Sequence, residues 1–342
     1  MTAFPVDGQR QRPRRRPRVG FVGVGWIGRN RMEAMLATDA IEVAGFVEPA
    51  SAMAEAACAL APQAEHVDSL AALLRHDLDG VVIATPSALH AEQCLEALEA
   101  DVAVFCQKPL GRHARETEAV VAAARARNRL LGVDFSYRYT EGLRRIRELA
   151  RSGALGQVYA ADLVFHNAYG PDKPWFYDPA QSGGGAVMDL GIHLVDLALW
   201  MFDFPQVINV SSHLFAGGSR LPSDAGIVED YAVATLELDN GILVRLACSW
   251  RLHAGQDAVI AAEFYGTQGG AAFRNVDGSF YDFSAERFLG TNRECLVRPP
   301  DAWGGRAAAA WARALAEGGG YDSAADHLVD AARIIDRLYG RG

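Results

Sequence analysis

Between Gly183 and Asp203 the chain reads GGGAVMDLGIHLVDLALWMFD, and only four of these residues can ionise: Asp189, His193, Asp196 and Asp203. Placed on a helix at roughly 100° per residue, they fall at about 0°, 40°, −20° and −40°, one stripe on a rod that is otherwise apolar. Such a rod is buried, and a buried charge is costly unless it is paired. The stripe therefore predicts ion partners or a polar cavity. Asp189 and His193 are four residues apart, a spacing at which the carboxylate can orient the imidazole and raise its basicity. That is what a general base needs near neutral pH. Asp196, a turn further on, is expected to be structural. Gly183–Gly185 supply no packing side chains, so a backbone can pass close to a ligand there. The stretch reads as one wall of an active site.

A second candidate comes from scarcity. The chain has 31 arginines and two lysines, Lys108 and Lys173. A lysine kept against that bias offers a compact ammonium that can give up its proton when buried, which guanidinium cannot.

These groups need a scaffold, and the N-terminal part of the chain supplies a recognisable one. The apolar run Val19–Gly23 leads into Gly23-Val24-Gly25-Trp26-Ile27-Gly28 and then a helical pattern through Met32, Met35 and Leu36. Strand, G-x-G-x-x-G and helix together form the dinucleotide fingerprint, in which glycines permit a tight turn and close approach of pyrophosphate to a helix N-terminus. A second strand, Glu42–Val47, ends in Glu48, where the fingerprint expects its acidic residue. A carboxylate there accepts both ribose hydroxyls and repels a 2′-phosphate, so NAD(H) is predicted over NADP(H). Strands at Gly80–Ala84, Val102–Cys106 and Leu130–Asp134 alternate with helices at Asp68–Arg75, Ser87–Glu99 and Arg112–Asn128, the pattern of a parallel sheet covered on both faces. Ligands of such sheets lie beyond the carboxyl ends of the strands. That makes Thr85, Pro86 and His90, and also Gln107 and Lys108, candidates at the nicotinamide end.

After a linking helix (Glu141–Ser152) the strands lengthen: Gln157–His166, Val207–Phe215, Glu229–Leu238, Ile242–Leu252 and Val259–Tyr265, with Asp239-Asn240-Gly241 as a hairpin signal. The predicted class is α/β. It comprises an N-terminal Rossmann dinucleotide-binding domain (18–139) and a C-terminal α+β domain with a mostly antiparallel open sheet (140–342), whose alanine-rich final helices return to the first domain. The open face is expected to be too apolar for water and to join a homodimer or homotetramer. In the loop His166–Tyr177, aromatics mixed with amides and charges suit a polyhydroxylated ring, so His166 and Trp175 are substrate-binding candidates, as is Arg138, in FSYRY just after the sixth strand.

Charge and cysteines narrow the class. Residues 1–18 hold six arginines and Asp7, so of a net charge of −9 the rest of the chain carries −14. That body repels nucleic acid, and residues 1–17 read as a disordered basic tail. Five cysteines without C-x-x-C spacing argue against a disulfide framework and a zinc site. No metal is predicted. No apolar run in the sequence approaches the ~20 residues of a membrane span. A cytoplasmic protein is expected, with neither membrane nor nucleic-acid partner.

Four motifs together resemble one family: G23-V-G-W-I-G28, A84-T-P-S-A-L-H90, Q107-K-P109 and G183-G-G-A-V-M-D-L-G-I-H193. From residue 18 to about 340 the chain resembles the Gfo/Idh/MocA oxidoreductases, named for glucose–fructose oxidoreductase, inositol dehydrogenase and rhizopine catabolism. The resemblance implies Lys108, Asp189 and His193 as the catalytic set. One departure is Gln107, where the family usually has Glu. The implied activity is hydride transfer between NAD and a secondary alcohol of a sugar or cyclitol. Two other classes stand beside it: a glycosidase or lyase that oxidises its sugar transiently and needs the same three residues, and a non-catalytic NAD-sensing regulator, which predicts a decayed set. The intact catalytic set weighs against the regulator.

Overall fold

The computed structural model describes residues 15–222 and 225–341. The first sheet is fully parallel, with strands β1 (Arg18–Val22), β2 (Glu42–Val47), β3 (Glu65–His66), β4 (Gly80–Ile83), β5 (Ala103–Cys106) and β6 (Leu131–Val133) in the order β3-β2-β1-β4-β5-β6. Every residue of β4 and β5 is buried, which is why those strands read as continuous apolar runs. Helices α1 (Trp26–Leu36), α2 (Ser51–Leu60), α3 (Leu70–Leu73), α4 (Ser87–Glu99) and α5 (Ala114–Ala126) provide the crossovers. This is the doubly wound dinucleotide-binding order, with the β1/β4 crevice at the switch point.

Helix α6 (Glu141–Arg151) leads into a nine-stranded sheet: β7 (Val158–Asn167), β8 (Val207–Ala216), β9 (Ser219–Arg220), β10 (Tyr231–Leu238), β11 (Leu243–Ser249), β12 (Ala258–Gly266), β13 (Gly270–Asn275), β14 (Phe283–Leu289) and β15 (Asn292–Val297). The order is β15-β14-β13-β12-β7-β11-β10-β8-β9, antiparallel except for β7 with β11. Gly241 takes φ +84° in the hairpin that Asn240-Gly241 announces. Strands β13–β15 and helix α2 go beyond the sequence reading. Helix α7 (Pro179–Ser182) meets α4, and a π-turn (Val187–Gly191) and α8 (Ile192–Met201) pack on one face of this sheet. The run Pro179–Met201 is, by length and apolarity, long enough to cross a membrane, contrary to the sequence reading; here 89% of its 18-residue apolar window is buried within the fold, as in a core helix.

Of the last two helices, α9 (Arg306–Ala316) inserts Ala308, Trp311 and Ala312 into the core of the first sheet. Helix α10 (His327–Leu338) lies between α5 and α8, spanning the two halves. Two expectations need correction. Residues 1–14 of the expected tail lie outside the described residues, but Arg15 approaches Asp79 (3.3 Å) and Arg16 approaches Asp39 (2.6 Å), so a free arm does not extend to residue 17. The open sheet face is also not simply apolar. Val164, Val233, Ala247 and Ala261 share a row, but beside it Arg245 is paired with Asp162, and Glu263 with Arg274.

Candidate active site

Lys108 lies just past the carboxyl end of β5, and its Nζ donates to both the backbone carbonyl and Oδ1 of Asp189, each at 2.7 Å. Trp250, just past the end of β11, donates its indole N–H to Asp189 Oδ2 at 3.1 Å. The Asp189 carboxylate is thus held between an ammonium from one half of the molecule and an indole from the other. Contrary to the expectation from sequence, it does not hold His193. The reason is the π-turn. Within Val187–Gly191 the backbone bonds reach five residues back instead of four, so the stripe drawn at an α-helical pitch is re-phased between Asp189 and His193.

His193 makes no side-chain hydrogen bond among the described residues. Its ring meets Phe135, Tyr137 and Phe165 at centroid distances of 6.3, 5.1 and 6.4 Å. Burial first, then the nearby Lys108 and Arg31 cations, hold it well below the ordinary 6.5. The expected rise in basicity is therefore reversed: burial and the two cations favour the neutral imidazole.

The other two members of the stripe are paired. The buried Asp196 takes a two-pronged contact from Arg138, with Nε at 2.7 Å, and Asp203 pairs with Arg147 at 2.5 Å. Arg138 also lies over the rings of Phe135 and Phe204. Its fork is committed to Asp196, not open to a substrate as expected. His166 lies on the opposite face of the sheet from Phe165, bonded to Ser249 Oγ at 2.7 Å and stacked on Tyr231, so it faces away from His193. Trp175 stacks on Phe176, which meets Trp250 edge-on, and this joins the aromatic loop to the Asp189 corner.

The glycine run has a different role from the one predicted. A side chain on Gly184 would strike the Tyr339 hydroxyl, and one on Gly185 the backbone of Glu229. The close approach is to the protein itself and not to a ligand.

At the cofactor crevice, Gly23 (φ +81°) makes the turn, and a side chain on Gly28 would strike the Gly23 carbonyl. Among the described residues, nothing fills the space around Gly25 and no side chain caps the first turn of α1. Trp26 and Ile27 open that turn, with Trp26 exposed. Glu48 stands at the tip of β2, where its carboxylate also accepts the N–H groups of Val24 (2.9 Å) and Ala50 (3.0 Å), bracing the fingerprint turn. These features fit a dinucleotide. His90 does not face it: the ring is buried, with Nδ1 2.6 Å from the Pro109 carbonyl and Nε2 2.7 Å from that of Thr85, so both nitrogens are committed to backbone.

Gln107 donates its amide to Asp134, a buried carboxylate that also accepts from Arg31 Nε (2.5 Å) and Ser136 Oγ (2.6 Å). This network lies one residue from Lys108, and nothing in the sequence announces it. Gln107→Glu would set a second carboxylate directly against the buried Asp134 carboxylate. We expect it to lower the thermal unfolding midpoint, and the added Asp134→Asn change to restore much of the loss.

Residues 17–135 match the family model described as "Oxidoreductase family, NAD-binding Rossmann fold", and residues 143–272 match that of the GFO/IDH/MocA C-terminal domain. The chain belongs to the GFO/IDH/MocA oxidoreductase family. Among its relatives, D-glucoside 3-dehydrogenase of Escherichia coli (strain K12) is 30% identical over 60% of this chain and 61% of its own length. Inositol 2-dehydrogenase 3 of Saccharopolyspora erythraea is 33% identical over 54% of each. The chain thus spans between half and two thirds of these two relatives. GenD2 from gentamicin A biosynthesis, solved in complex with NAD, aligns with a TM-score of 0.80 and 26% identity over 97% of this chain and 95% of its own. The GFO/IDH/MocA assignment agrees with both sheets and with the crevice at the fingerprint.

Proposed function

We propose that this family member is an NAD-dependent dehydrogenase that oxidises a secondary alcohol of a sugar or cyclitol, with Lys108, Asp189 and His193 as its acid–base groups. The observation that carries the reading is the convergence on one corner of a clamped ammonium, from the dinucleotide-binding half, and an unpaired neutral imidazole, from α8. Bound NAD supplies the hydride acceptor. Gly23, Gly25, Trp26, Ile27 and Gly28 would hold its pyrophosphate, Glu48 its adenosine ribose, and Thr85, Pro86 and Gln107 would line the nicotinamide end.

The chain's own groups do the rest. His193 takes the proton of the reacting hydroxyl. Lys108 donates a hydrogen bond to the same oxygen and stabilises the charge that develops there. Asp189 and Trp250 fix where the ammonium stands. Trp175, Phe176 and Trp250 offer flat apolar surfaces to the faces of a polyhydroxylated ring. The names of the glucoside and inositol relatives support that substrate class. A panel of D-glucosides and inositols, followed by the absorbance of reduced nicotinamide, tests the reading. Free NADH accumulating with turnover supports a dehydrogenase. A bound, constant NADH level with product release would point instead to an oxidation-dependent hydrolase or lyase, and no turnover across the panel would count against the reading.

Because Glu48 would present its carboxylate to the ribose, NAD(H) should bind at least about tenfold tighter than NADP(H), a margin of ~1.4 kcal/mol. Equal or better NADP(H) binding by titration overturns that preference. The five cysteines are unpaired, which suits the reducing cytoplasm. The open sheet face, with Tyr159, Val233 and Leu243 exposed beside the Arg245–Asp162 pair, is where we place a homodimer or homotetramer contact. Light scattering at micromolar concentration should give a mass above that of one chain; a monomer contradicts it.

A further inference from the structure

The turn that carries Asp189 is held from behind by the segment that follows α10. Tyr339 is buried, and its hydroxyl donates to Glu229 Oε1 (2.8 Å) and accepts the backbone N–H of Met188 (3.2 Å), the residue before Asp189. Glu229, 1% exposed, accepts the N–H groups of Val187 (2.7 Å) and Gly185 (3.1 Å). Arg341 lies over the Tyr339 ring and donates to the Gly183 carbonyl at 2.9 Å. The glycine run and the first half of the π-turn are thus tied to the rest of the fold by Tyr339, Glu229 and Arg341. A carboxylate buried this deeply without a cation is expensive unless its oxygens are fully bonded, and here backbone N–H groups and one phenol meet that need. The same N–H groups, at the opening of the π-turn, would otherwise be orphans.

We propose that Tyr339–Arg341 is a latch, acting through Glu229, that sets the π-turn so that Asp189 meets Lys108 and Trp250. Tyr339 and Glu229 are then positioning residues for the reaction, although neither reaches the substrate. This rests on the reading of Lys108 and Asp189 as acid–base groups. Burial pushes the Tyr339 hydroxyl well above 10, so it stays a neutral donor throughout the working range.

Tyr339→Phe keeps the ring and removes the hydroxyl. It should lower kcat by roughly ten- to a hundredfold, the scale of a small misplacement of a reacting group, with Kd for NADH unchanged. In a Lys108→Ala background the same change should cost almost nothing, because the contact it positions is already gone. A merely structural role would give equal losses in both backgrounds. The Trp250 indole N–H reports Asp189 directly, so its ¹H–¹⁵N resonance, assigned with Trp250→Phe, should move in Tyr339→Phe and in Glu229→Gln. An unchanged kcat with an unmoved Trp250 resonance overturns the latch, as do equal losses in both backgrounds. A Lys108→Ala enzyme with undiminished kcat would instead remove the catalytic reading, and the Trp250 resonance would then decide the latch alone.

Discussion

His193→Ala should lower kcat by roughly 10²–10⁴-fold, the usual contribution of a positioned acid–base group, while NADH binding is unchanged because the fingerprint lies in the other half. The pH profile gives a second readout. His193 is held below 6.5 by burial and two cations, so the free enzyme keeps its base neutral from neutral pH down past 6.5. The acid limb of kcat/KM for oxidation should therefore fall below 6.5, with activity lost as pH drops through the lowered value, and it should vanish in the variant. Lys108→Ala should cost a similar factor. On the proposed mechanism both groups act on one oxygen, so the double variant should lose far less than the product of the two. A folded His193→Ala enzyme with near-normal turnover would reduce the stripe to core packing.

Arg138→Ala should cost about 3–5 kcal/mol of stability in urea denaturation at neutral pH, since it strips the partner from a buried charge. Asp196 is 2% exposed and has its carboxyl raised by burial against the opposing pull of Arg138. Without Arg138 its folded value rises further above that of the unfolded chain. The folded state then holds a proton that the unfolded state releases, so the penalty grows as pH rises through the interval and shrinks toward about pH 4. Replacing both residues, as in Arg138→Met with Asp196→Leu, should recover most of the loss. If Arg138 were a substrate anchor, the double variant would stay stable but show a strongly raised KM; here KM should change little.

Where function is written in backbone, the sequence is readable. Gly23 and Gly28 must be glycine for the turn and the close packing they make, and the buried strands β1, β4 and β5 leave continuous apolar runs. Topology alone finds Lys108, since a residue just past the end of β5 reaches the crevice whatever its side chain touches. The Asp189–His193 pairing misleads because a π-turn leaves no mark in apolar periodicity, yet it changes which residues share a face. Trp250, Glu229 and Asp134 escape notice for a different reason. Each acts on partners remote from it in the chain, and alone each looks like core or surface. Strands β14 and β15 are hidden because charges interrupt their apolar patterns, FSAERFL and NRECLV; β15 forms the sheet edge, where charges suit a strand.

Trp311 covers the strands of the first sheet where Gly80 and Gly132 leave room for it, although the entire second sheet intervenes in the chain. A ribosome therefore releases β1–β6 long before it releases the helix that roofs them. Until α9 emerges, the dinucleotide-binding sheet lacks the Trp311 cover over Gly80 and Gly132. A fragment cut after Tyr139 would lack the Trp311 cover of its own sheet.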